Sequence, residues 1–301
     1  MKDKQLHGVI PALITPMDRR SGVDYGALEK QASYLSAAGV QGFFIGGTTA
    51  EGAYLNTEEL RLSFQVVQKA SQGKQFLCLA CLRSSTESVC KEVEALSDLN
   101  PDFLVIITPY YLKYRQSDIL AHYRQVIEVS STPVIVYNIP STTHNLITLD
   151  TVLELARDPR VAGTKDSSGD FIPFSRGVLA HSGEGFSWIQ GEDYLHGPSL
   201  MIGAQGIVTG LGNVFIEDYV EMYRASRQHD WETVRTMQQR INRLYGVIRS
   251  CEGRVIPAIK AAVSALGRCE PWLRARSMTP GKEELAAVKQ VLASLEERAT
   301  T

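Results

Sequence analysis

Several features that mark membrane, secreted and nucleic-acid-binding proteins are missing from this sequence of 301 residues. It contains no run of about 18 apolar residues, so no membrane span is expected. The N-terminal segment MKDKQLHGVIPALITP lacks the apolar core and the small-residue cleavage site of a signal peptide. The formal net charge is −2, with no long run of one sign, which argues against nucleic acid as a partner. We therefore expect a cytoplasmic protein that binds neither membranes nor nucleic acids.

Cysteine and histidine are present, but not in patterns that are typical of metal sites. The five cysteines are odd in number and irregularly spaced, which together with the missing signal peptide predicts reduced thiols. Cys78 and Cys81 form a C-x-x-C within the apolar run FLCLACL, which is more typical of a buried strand than of a zinc or redox site. The six histidines show no ligand spacing, so no metal is expected.

Short apolar runs recur along the chain and predict the strands of a buried parallel sheet. Hydrophobic residues make up 44% of the sequence, which is enough to bury a large core. Each run is rich in β-branched or aromatic side chains and is apolar on both faces, as strands covered on both sides are. The predicted strands are 9–15, 42–46, 76–80, 103–107, 134–138, 161–165, 186–190 and 206–210.

Amphipathic helical patterns separate these runs. Asp24 is a plausible cap for a first helix that Gly39 ends, and Thr57 is a plausible cap for the second. Strands and helices alternate with the spacing of βα units, and eight such units close a barrel. We predict a (β/α)8 TIM barrel over residues 1–225 and a C-terminal helical extension over residues 226–301. The rival, an open doubly wound sheet, usually has a glycine-rich phosphate loop after its first strand, where this chain has ITPMDRRSG.

Lys165 is the strongest candidate for catalysis, because the active groups of a barrel lie at the carboxyl ends of its strands. It ends the apolar run VAGT, where a charge is normally unfavourable. Side chains alternate along a strand, so we expect Lys165, Gly163 and Val161 to share one face. A lysine drawn partly out of water is more readily neutral, and a neutral amine can attack a ketone to form an imine. A structural salt bridge at the barrel rim is the alternative.

Two other predicted strand ends carry groups that suit such chemistry. Tyr137 ends the neighbouring strand, and its hydroxyl can both donate and accept a proton. A buried tyrosine with a satisfied hydroxyl is the alternative there. Residues 46–49, GGTT, offer backbone N–H groups and two hydroxyls in a tight turn that can hold a small carboxylate. The lysine of a nucleotide-binding phosphate loop is missing, so a nucleotide is not expected.

In their order and spacing, the motifs resemble those of the dihydrodipicolinate synthase and N-acetylneuraminate lyase superfamily. The resemblance covers essentially the whole chain and is carried by GVIPALITP, GGTTAEG, ITPYY, VYNIPS, GTKDSSGD, GAQGIVTG and RSMTP. It implies a class I aldolase on a TIM barrel that binds pyruvate as a Schiff base. It also implies a homotetramer built as a dimer of dimers, with neither a metal nor an organic cofactor.

The resemblance implies roles for individual residues. Lys165 would form the Schiff base with pyruvate, and Tyr137 would shuttle protons above it. Thr48 would relay protons as well as bind the pyruvate carboxylate, and Tyr111 resembles a residue that is donated across a dimer interface into the neighbouring site. The residues expected to bind substrate are Gly47, Thr48, Thr49, Thr142 and Val208.

Departures from the family pattern bear on the substrate. The family's dihydrodipicolinate synthases carry an arginine at the position of Thr142, where it binds the carboxylate of aspartate semialdehyde, and a hydroxyl does not replace that bidentate contact. The segment DSSGD looks more like the 2-keto-3-deoxy sugar-acid aldolases. We therefore expect a lyase that cleaves or forms a 2-oxo acid such as a 2-keto-3-deoxy sugar acid, giving pyruvate and an aldehyde.

Other outcomes stay open at this point. The same pyruvate enamine can add to aspartate semialdehyde, which is dihydrodipicolinate synthesis, and N-acetylneuraminate cleavage follows the same chemistry. The imine can also expel a β-hydroxyl, which would make the protein a dehydratase. A protein that binds pyruvate or a sugar acid without turnover is a further alternative from a different class.

Overall fold

A ring of eight parallel strands lies at the centre of the structure, a computed structural model that describes residues 5–181 and 185–297. The strands are β1 (Gly8–Pro11), β2 (Gly42–Ile45), β3 (Phe76–Cys81), β4 (Phe103–Ile107), β5 (Val134–Asn138), β6 (Val161–Asp166), β7 (Ser187–Gln190) and β8 (Gly206–Thr209). From β2 to β8 each strand pairs with the next in sequence, and β8 pairs with β1. A parallel bridge between Ala12 and Phe44 joins β1 to β2 and closes the ring. The predicted (β/α)8 barrel is confirmed, and each strand overlaps its predicted run, although β1 ends at Pro11 rather than at residue 15.

Helices follow the strands and cover the outside of the ring. They are α1 (Tyr25–Ala37), α2 (Thr57–Ser71), α3 (Thr86–Ala95), α4 (Gln116–Val129), α5 (Pro140–Thr143), α6 (Leu149–Leu155), α7 (Phe171–His181), α8 (His196–Met201), α9 (Glu217–Arg227), α10 (Trp231–Leu244), α11 (Gly246–Arg249), α12 (Val255–Ala265) and α13 (Lys282–Glu297). No helix in the described residues is both long enough and apolar enough to cross a membrane. The proposed domain division at residue 225 falls within α9 and stays a prediction.

The first helix begins as predicted, and the second begins one residue earlier. Asp24 caps α1, where its side chain accepts a hydrogen bond from the Ala27 N–H at 2.9 Å. For α2 the cap is Asn56 rather than Thr57, because Asn56 and Glu59 form a reciprocal capping box. Thr57 is instead the first residue of the helix.

Side chains alternate between the interior of the ring and the layer beneath the helices. On β3, Phe76 and Cys78 belong to the interior cluster, whereas Leu77 and Cys81 pack under the helices. Burial on both sides accounts for the continuous apolar runs in the sequence. Cys78 and Cys81 therefore point to opposite sides of the strand, and burial raises the pKa of both thiols. All five cysteines of the chain are free, as predicted.

Strand β6 interrupts this alternation just before Lys165. Its pairing with β5 shifts between Val161 and Gly163, so that Ala162 is an extra residue on β6. Val161 consequently packs in the outer layer, whereas Lys165 points into the ring. The prediction that Val161 and Lys165 share a face is wrong, because the extra residue reverses the alternation between them. Gly163 lies two residues from Lys165 and does share its face.

The C-terminal helices are attached to the barrel by buried polar contacts. The Lys260 Nζ, on α12, lies 2.5 Å from Oε1 of Glu51, which belongs to the loop after β2. Beyond α12, Arg268 donates to the side-chain oxygen of Gln31 on α1 at 3.2 Å. The C-terminal segment is therefore tied to the barrel next to the loop that carries the GGTT motif.

Candidate active site

Lys165 points into the barrel from the end of β6, and only 5% of its surface is exposed. Its Nζ lies 3.9 Å from the ring centroid of Tyr137 and 4.3 Å from that of Phe44. Among the described residues, no carboxylate oxygen lies within 4.0 Å of this amine, so it forms no salt bridge. The electron-rich ring faces favour a positive charge at this point. They would stabilise an iminium ion formed on Lys165.

Tyr137 is the register partner of Lys165 on the adjacent strand β5. Its ring is buried and meets the ring of Phe44 edge-on, with centroids 5.7 Å apart and an interplanar angle of 81°. Its hydroxyl forms no hydrogen bond with another described residue. The hydroxyl can therefore exchange a proton with a molecule bound at Lys165.

A small cavity of about 10 Å³ lies inside the ring beside the Lys165 side chain. Among the described residues that line it, Lys165 is the only charged one, and the rest of the wall is apolar. The side chain of Val208 belongs to this wall, which places this predicted residue next to Lys165. The lining residues are Leu6, Ile10, Phe44, Cys78, Ile135, Lys165, Ile189 and Val208.

Gly47, Thr48 and Thr49 lie in the turn after β2, and the turn leaves two backbone donors unused. The Gly47 carbonyl accepts a hydrogen bond from the Ala50 N–H at 3.1 Å. The N–H groups of Thr48 and Thr49 donate to no described residue. A Cβ built at Gly210 would lie 3.3 Å from the Thr49 Oγ1, so the turn reaches the end of β8. Two free amides and two hydroxyls over the barrel end form a suitable cradle for a carboxylate.

Tyr111 lies on the loop after β4 and projects into solvent. Its surface is 91% exposed and its backbone is left-handed, with φ of 80°. The loop itself is held by the buried Asn145, whose Nδ2 donates to the carbonyls of Pro109 and Leu112 at 3.0 and 2.8 Å. Its Oδ1 accepts from the Tyr114 N–H at 2.8 Å. Asn145 thus presents Tyr111 outward, and sequence reasoning did not identify this role.

Thr142 is exposed on the short helix α5, which follows the strand of Tyr137. Its side chain makes no hydrogen bond with another described residue. Two residues later, His144 caps the C-terminal end of this helix in a left-handed conformation, with φ of 57°, and is exposed as well. The position of Thr142 therefore offers a hydroxyl to a ligand and no fixed positive charge.

Gly191, which follows β7, adjoins Lys165 and was not among the predicted site residues. A Cβ at this position would lie 2.9 Å from the Lys165 Cε and 2.2 Å from the Ser167 Oγ. The lysine side chain therefore occupies space that only a glycine leaves free. The motif QGED showed a glycine at a strand end, but the sequence did not show what it faces.

Asp193, a buried carboxylic acid, lies close enough to Lys165 for the charge of the lysine to affect its pKa. Its Oδ1 accepts hydrogen bonds from the Thr209 Oγ1 at 2.6 Å and from the Tyr219 Oη at 2.7 Å. Burial raises the pKa of Asp193 to about 6, although these bonds and the charge of Lys165 oppose the rise. The Nδ1 of His196 lies 3.9 Å from the same Oδ1, and burial lowers the pKa of His196 to about 3. At neutral pH this pair is a carboxylate beside a neutral imidazole.

The arrangement suits imine chemistry. Over residues 5–181 and 185–297, no group of three or more His, Cys, Asp or Glu side chains is placed to hold a metal ion. What the barrel end supplies is a buried amine without a counter-ion, a phenol beside it, and a turn of amides and hydroxyls. These are a nucleophile, a proton carrier and a carboxylate cradle.

Comparisons with known proteins identify the family of the chain. The model of the dihydrodipicolinate synthetase family matches residues 5–295. A 4-hydroxy-tetrahydrodipicolinate synthase from Methanospirillum hungatei is 32% identical over 287 residues, which are 95% of this chain and 98% of that protein. Another from Neisseria meningitidis serogroup B is 32% identical over 269 residues, covering 89% and 91% of the two chains.

Solved structures show the same fold. The crystal structure of dihydrodipicolinate synthase from Aquifex aeolicus superposes with a TM-score of 0.89 at 27% identity, over 97% of this chain and 98% of that one. The dihydrodipicolinate synthase from Acinetobacter baumannii, solved with pyruvate, superposes with a TM-score of 0.91 at 24% identity, over 97% and 99%. The chain is a lyase and belongs to the dihydrodipicolinate synthetase family.

Proposed function

We propose that this lyase forms a Schiff base between Lys165 and pyruvate and then joins the pyruvate carbon to an aldehyde, or reverses that step. The observation that carries the proposal is the Lys165 amine, which is buried in the barrel without a counter-ion and lies 3.9 Å from the Tyr137 ring. The pyruvate in the Acinetobacter baumannii structure and in the structure of YagE from E. coli supports the same substrate here.

The proposed reaction begins when the neutral Lys165 amine attacks the C2 carbonyl of pyruvate. Tyr137 delivers a proton to the resulting hydroxyl, which leaves as water, and the iminium ion forms. Loss of a proton from C3 gives the enamine, whose C3 attacks the aldehyde carbon. Water then hydrolyses the imine and releases the product and the lysine. In the reverse direction Tyr137 takes the proton of the C4 hydroxyl, and the C3–C4 bond breaks.

The turn after β2 would bind the pyruvate carboxylate. The unused N–H groups of Thr48 and Thr49, next to Gly47, support this role, because a carboxylate gains most from fixed backbone donors. We also propose that Thr48 passes protons between Tyr137 and Tyr111 of a second copy. The 91% exposure of Tyr111 supports a position at an interface rather than inside its own barrel.

For the second substrate, the relatives favour aspartate semialdehyde over the sugar acid that the sequence motifs suggested. The similar curated proteins are named 4-hydroxy-tetrahydrodipicolinate synthase, which supports the condensation that was the alternative expectation. One observation favours a 2-keto-3-deoxy sugar acid as a second candidate: Thr142 supplies no positive charge for the carboxylate of aspartate semialdehyde. The homotetramer and the cytoplasmic location also stay proposals.

Reduction with borohydride in the presence of pyruvate tests the covalent step. We expect one pyruvate-derived adduct per chain by intact mass, located on Lys165 by peptide mapping. Lys165→Arg is the matched control, because it keeps the positive charge but cannot lose its proton. An unmodified wild-type chain, or an adduct of equal yield in Lys165→Arg, would contradict the proposal.

Two assays then separate the candidate substrates. Condensation of pyruvate with aspartate semialdehyde is measured beside pyruvate release from a panel of 2-keto-3-deoxy sugar acids and N-acetylneuraminate. Efficient condensation that Thr142→Val leaves unchanged assigns the synthase reaction and removes Thr142 from carboxylate binding. Pyruvate release without condensation assigns the aldolase, and in that case Thr142→Arg is expected to introduce some condensation.

A further inference from the structure

A second buried lysine, Lys260, takes no part in the proposed reaction. Its contacts connect the C-terminal extension to the turn of Thr48 and Thr49, the proposed cradle for the substrate carboxylate. It is fully buried on α12. Its Nζ donates to Oε1 of Glu51 at 2.5 Å and to the Trp272 carbonyl at 3.0 Å. Burial lowers the pKa of Lys260, and the carboxylate of Glu51 opposes that change. Burying an ion pair costs free energy of solvation, and two apolar side chains of similar volume often stabilise a fold equally well.

The carboxylate of Glu51 is held by the C-terminal extension. One carboxylate oxygen binds Lys260, and the other accepts a hydrogen bond from the backbone N–H of Arg274 at 2.9 Å. Glu51 is itself buried and has a left-handed backbone, with φ of 57°. That conformation is unfavourable for a residue with a side chain. Its carboxylate is therefore fixed in position and in direction by two donors from α12 and the segment after it.

The backbone of Glu51 closes the turn that carries the two threonines. Its N–H donates to the Thr48 carbonyl at 3.0 Å, so a shift of Glu51 shifts Thr48. The next residue, Gly52, packs so closely that a Cβ there would lie 1.8 Å from the Gly46 carbonyl oxygen. The turn is consequently a tight unit with little freedom to adjust locally.

Helix α12 and Thr49 also lie near one common residue, Gly210, which follows β8. A Cβ built at Gly210 would lie 3.1 Å from the Ile259 Cδ1 and 3.3 Å from the Thr49 Oγ1. Ile259 precedes Lys260 on α12, so this helix and Thr49 both pack beside Gly210. The extension therefore reaches the glycine beside Thr49 in addition to holding Glu51.

We propose that the buried Glu51–Lys260 pair is a positioning device by which the C-terminal extension orients the Thr48 and Thr49 donors toward the substrate carboxylate. This inference rests on the proposed function, in which those donors bind the carboxylate of pyruvate. It assigns Glu51 and Lys260 as positioning residues, since neither touches the reacting atoms. A ketone without a carboxylate does not need the cradle, and the device therefore affects only carboxylate-bearing ketones.

The test is the double variant Glu51→Gln/Lys260→Met, which removes both charges together. The rate of imine formation, followed by borohydride trapping over a range of ketone concentrations, is compared for pyruvate and for hydroxyacetone, which lacks the carboxylate. We expect the half-saturating pyruvate concentration to rise roughly 10- to 100-fold, the scale of misplaced binding groups, and the limiting rate to change little. The hydroxyacetone dependence should stay at the wild-type level.

Arg268→Met is the matched control, because Arg268 also links the extension to the barrel but contacts Gln31 and Val214 instead. Its pyruvate dependence should equal that of the wild type. If the double variant does not fold, Glu51→Asp retains the charge on a shorter arm and should show the same selective loss. An unchanged pyruvate dependence, or equal losses for both ketones, would overturn the positioning role. A wild-type chain that traps no pyruvate would instead overturn the proposed function itself.

Discussion

Tyr137 and Lys165 face each other across paired strands, with the lysine Nζ 3.9 Å from the centroid of the tyrosine ring. The distance is that of a cation over a ring face, and the phenol hydroxyl is a separate group at the far end of the ring. Tyr137 therefore has two separable functions, one for its ring and one for its hydroxyl.

Tyr137→Phe separates these functions. The ring and its attraction for a positive Lys165 are kept, while the proton carrier is lost, so we expect kcat to fall roughly 10²- to 10⁴-fold. The pyruvate adduct trapped by borohydride should still form, more slowly. Tyr123→Phe is the control, since the buried Tyr123 hydroxyl donates to the Ile106 carbonyl at 2.8 Å and takes no part in the site. The control Tyr123→Phe should be less stable than the wild type but should keep the wild-type kcat. A wild-type kcat in Tyr137→Phe would show that the Tyr137 hydroxyl takes no part in the mechanism.

Gly191→Ala tests the space around the lysine. The new methyl would lie 2.9 Å from the Lys165 Cε, so the lysine must move and imine formation should slow roughly 100-fold. Single-turnover trapping with pyruvate measures that rate. Gly26→Ala on α1 adds the same methyl where the nearest atom, an Asp24 carboxylate oxygen, is 3.5 Å away. This control should react like the wild type, and equal rates for all three proteins would show that Lys165 has more room than the structure provides.

Mixing two inactive variants tests whether Tyr111 acts in a neighbouring copy. Lys165→Arg and Tyr111→Phe are each expected to be nearly inactive. If Tyr111 crosses an interface, a mixed dimer has one site with both substitutions and one intact site. Random reassortment makes about half of the dimers mixed, so about a quarter of the wild-type activity is restored. The measurement is turnover after joint refolding, with each variant refolded alone as the control. No recovery, despite mixed dimers seen by native mass spectrometry, would place Tyr111 in its own chain's site.

The buried His122 predicts a loss of stability in mild acid. Its Nε2 lies 3.0 Å from the Ile107 carbonyl and its Nδ1 lies 2.9 Å from the Thr86 Oγ1, and burial lowers its pKa to about 4. Below about pH 6.5, the ordinary pKa of histidine, the His122 imidazole binds a proton in the unfolded chain but stays neutral in the folded chain. The stabilisation is therefore complete above about pH 6.5 and is lost as the pH falls to 4, amounting to about 3 kcal/mol.

Urea denaturation of the wild type and of His122→Gln across this pH range measures the effect. The variant should be less stable at pH 7 but should show a shallower decline of unfolding free energy between pH 6.5 and 4. Parallel declines for the two proteins would assign the acid sensitivity to other groups.

Much of the architecture could be predicted because parallel strands that are buried on both faces leave continuous apolar runs. Lys165 and Tyr137 stood out by the same reasoning, as polar groups at the ends of such runs. The residue that caps α2 was harder to predict, because Asn56 and Thr57 are both suitable caps. Only the reciprocal hydrogen bonds between Asn56 and Glu59 decide between them.

What the sequence could not show are relations between distant segments. Glu51 and Lys260 are separated by 209 positions, and neither residue has an unusual local setting in the sequence. Gly191 looks like an ordinary loop glycine until Lys165 is placed beside it. Asn145 likewise becomes informative only when its three partners on the loop of Tyr111 are known. Each of these roles arises from tertiary packing, which local periodicity does not encode.

The extra residue in β6 decides which of two adjacent side chains the barrel uses. Because faces alternate with every position, regular pairing from Val161 onward, with Ala162 opposite Ile135, would turn the amine of Lys165 toward the helices and the carboxylate of Asp166 toward the pocket. A barrel of the same shape would then present an acid where a nucleophilic nitrogen is required. The identity of the reacting atom thus depends on how one strand pairs with its neighbour as much as on which amino acids that strand contains.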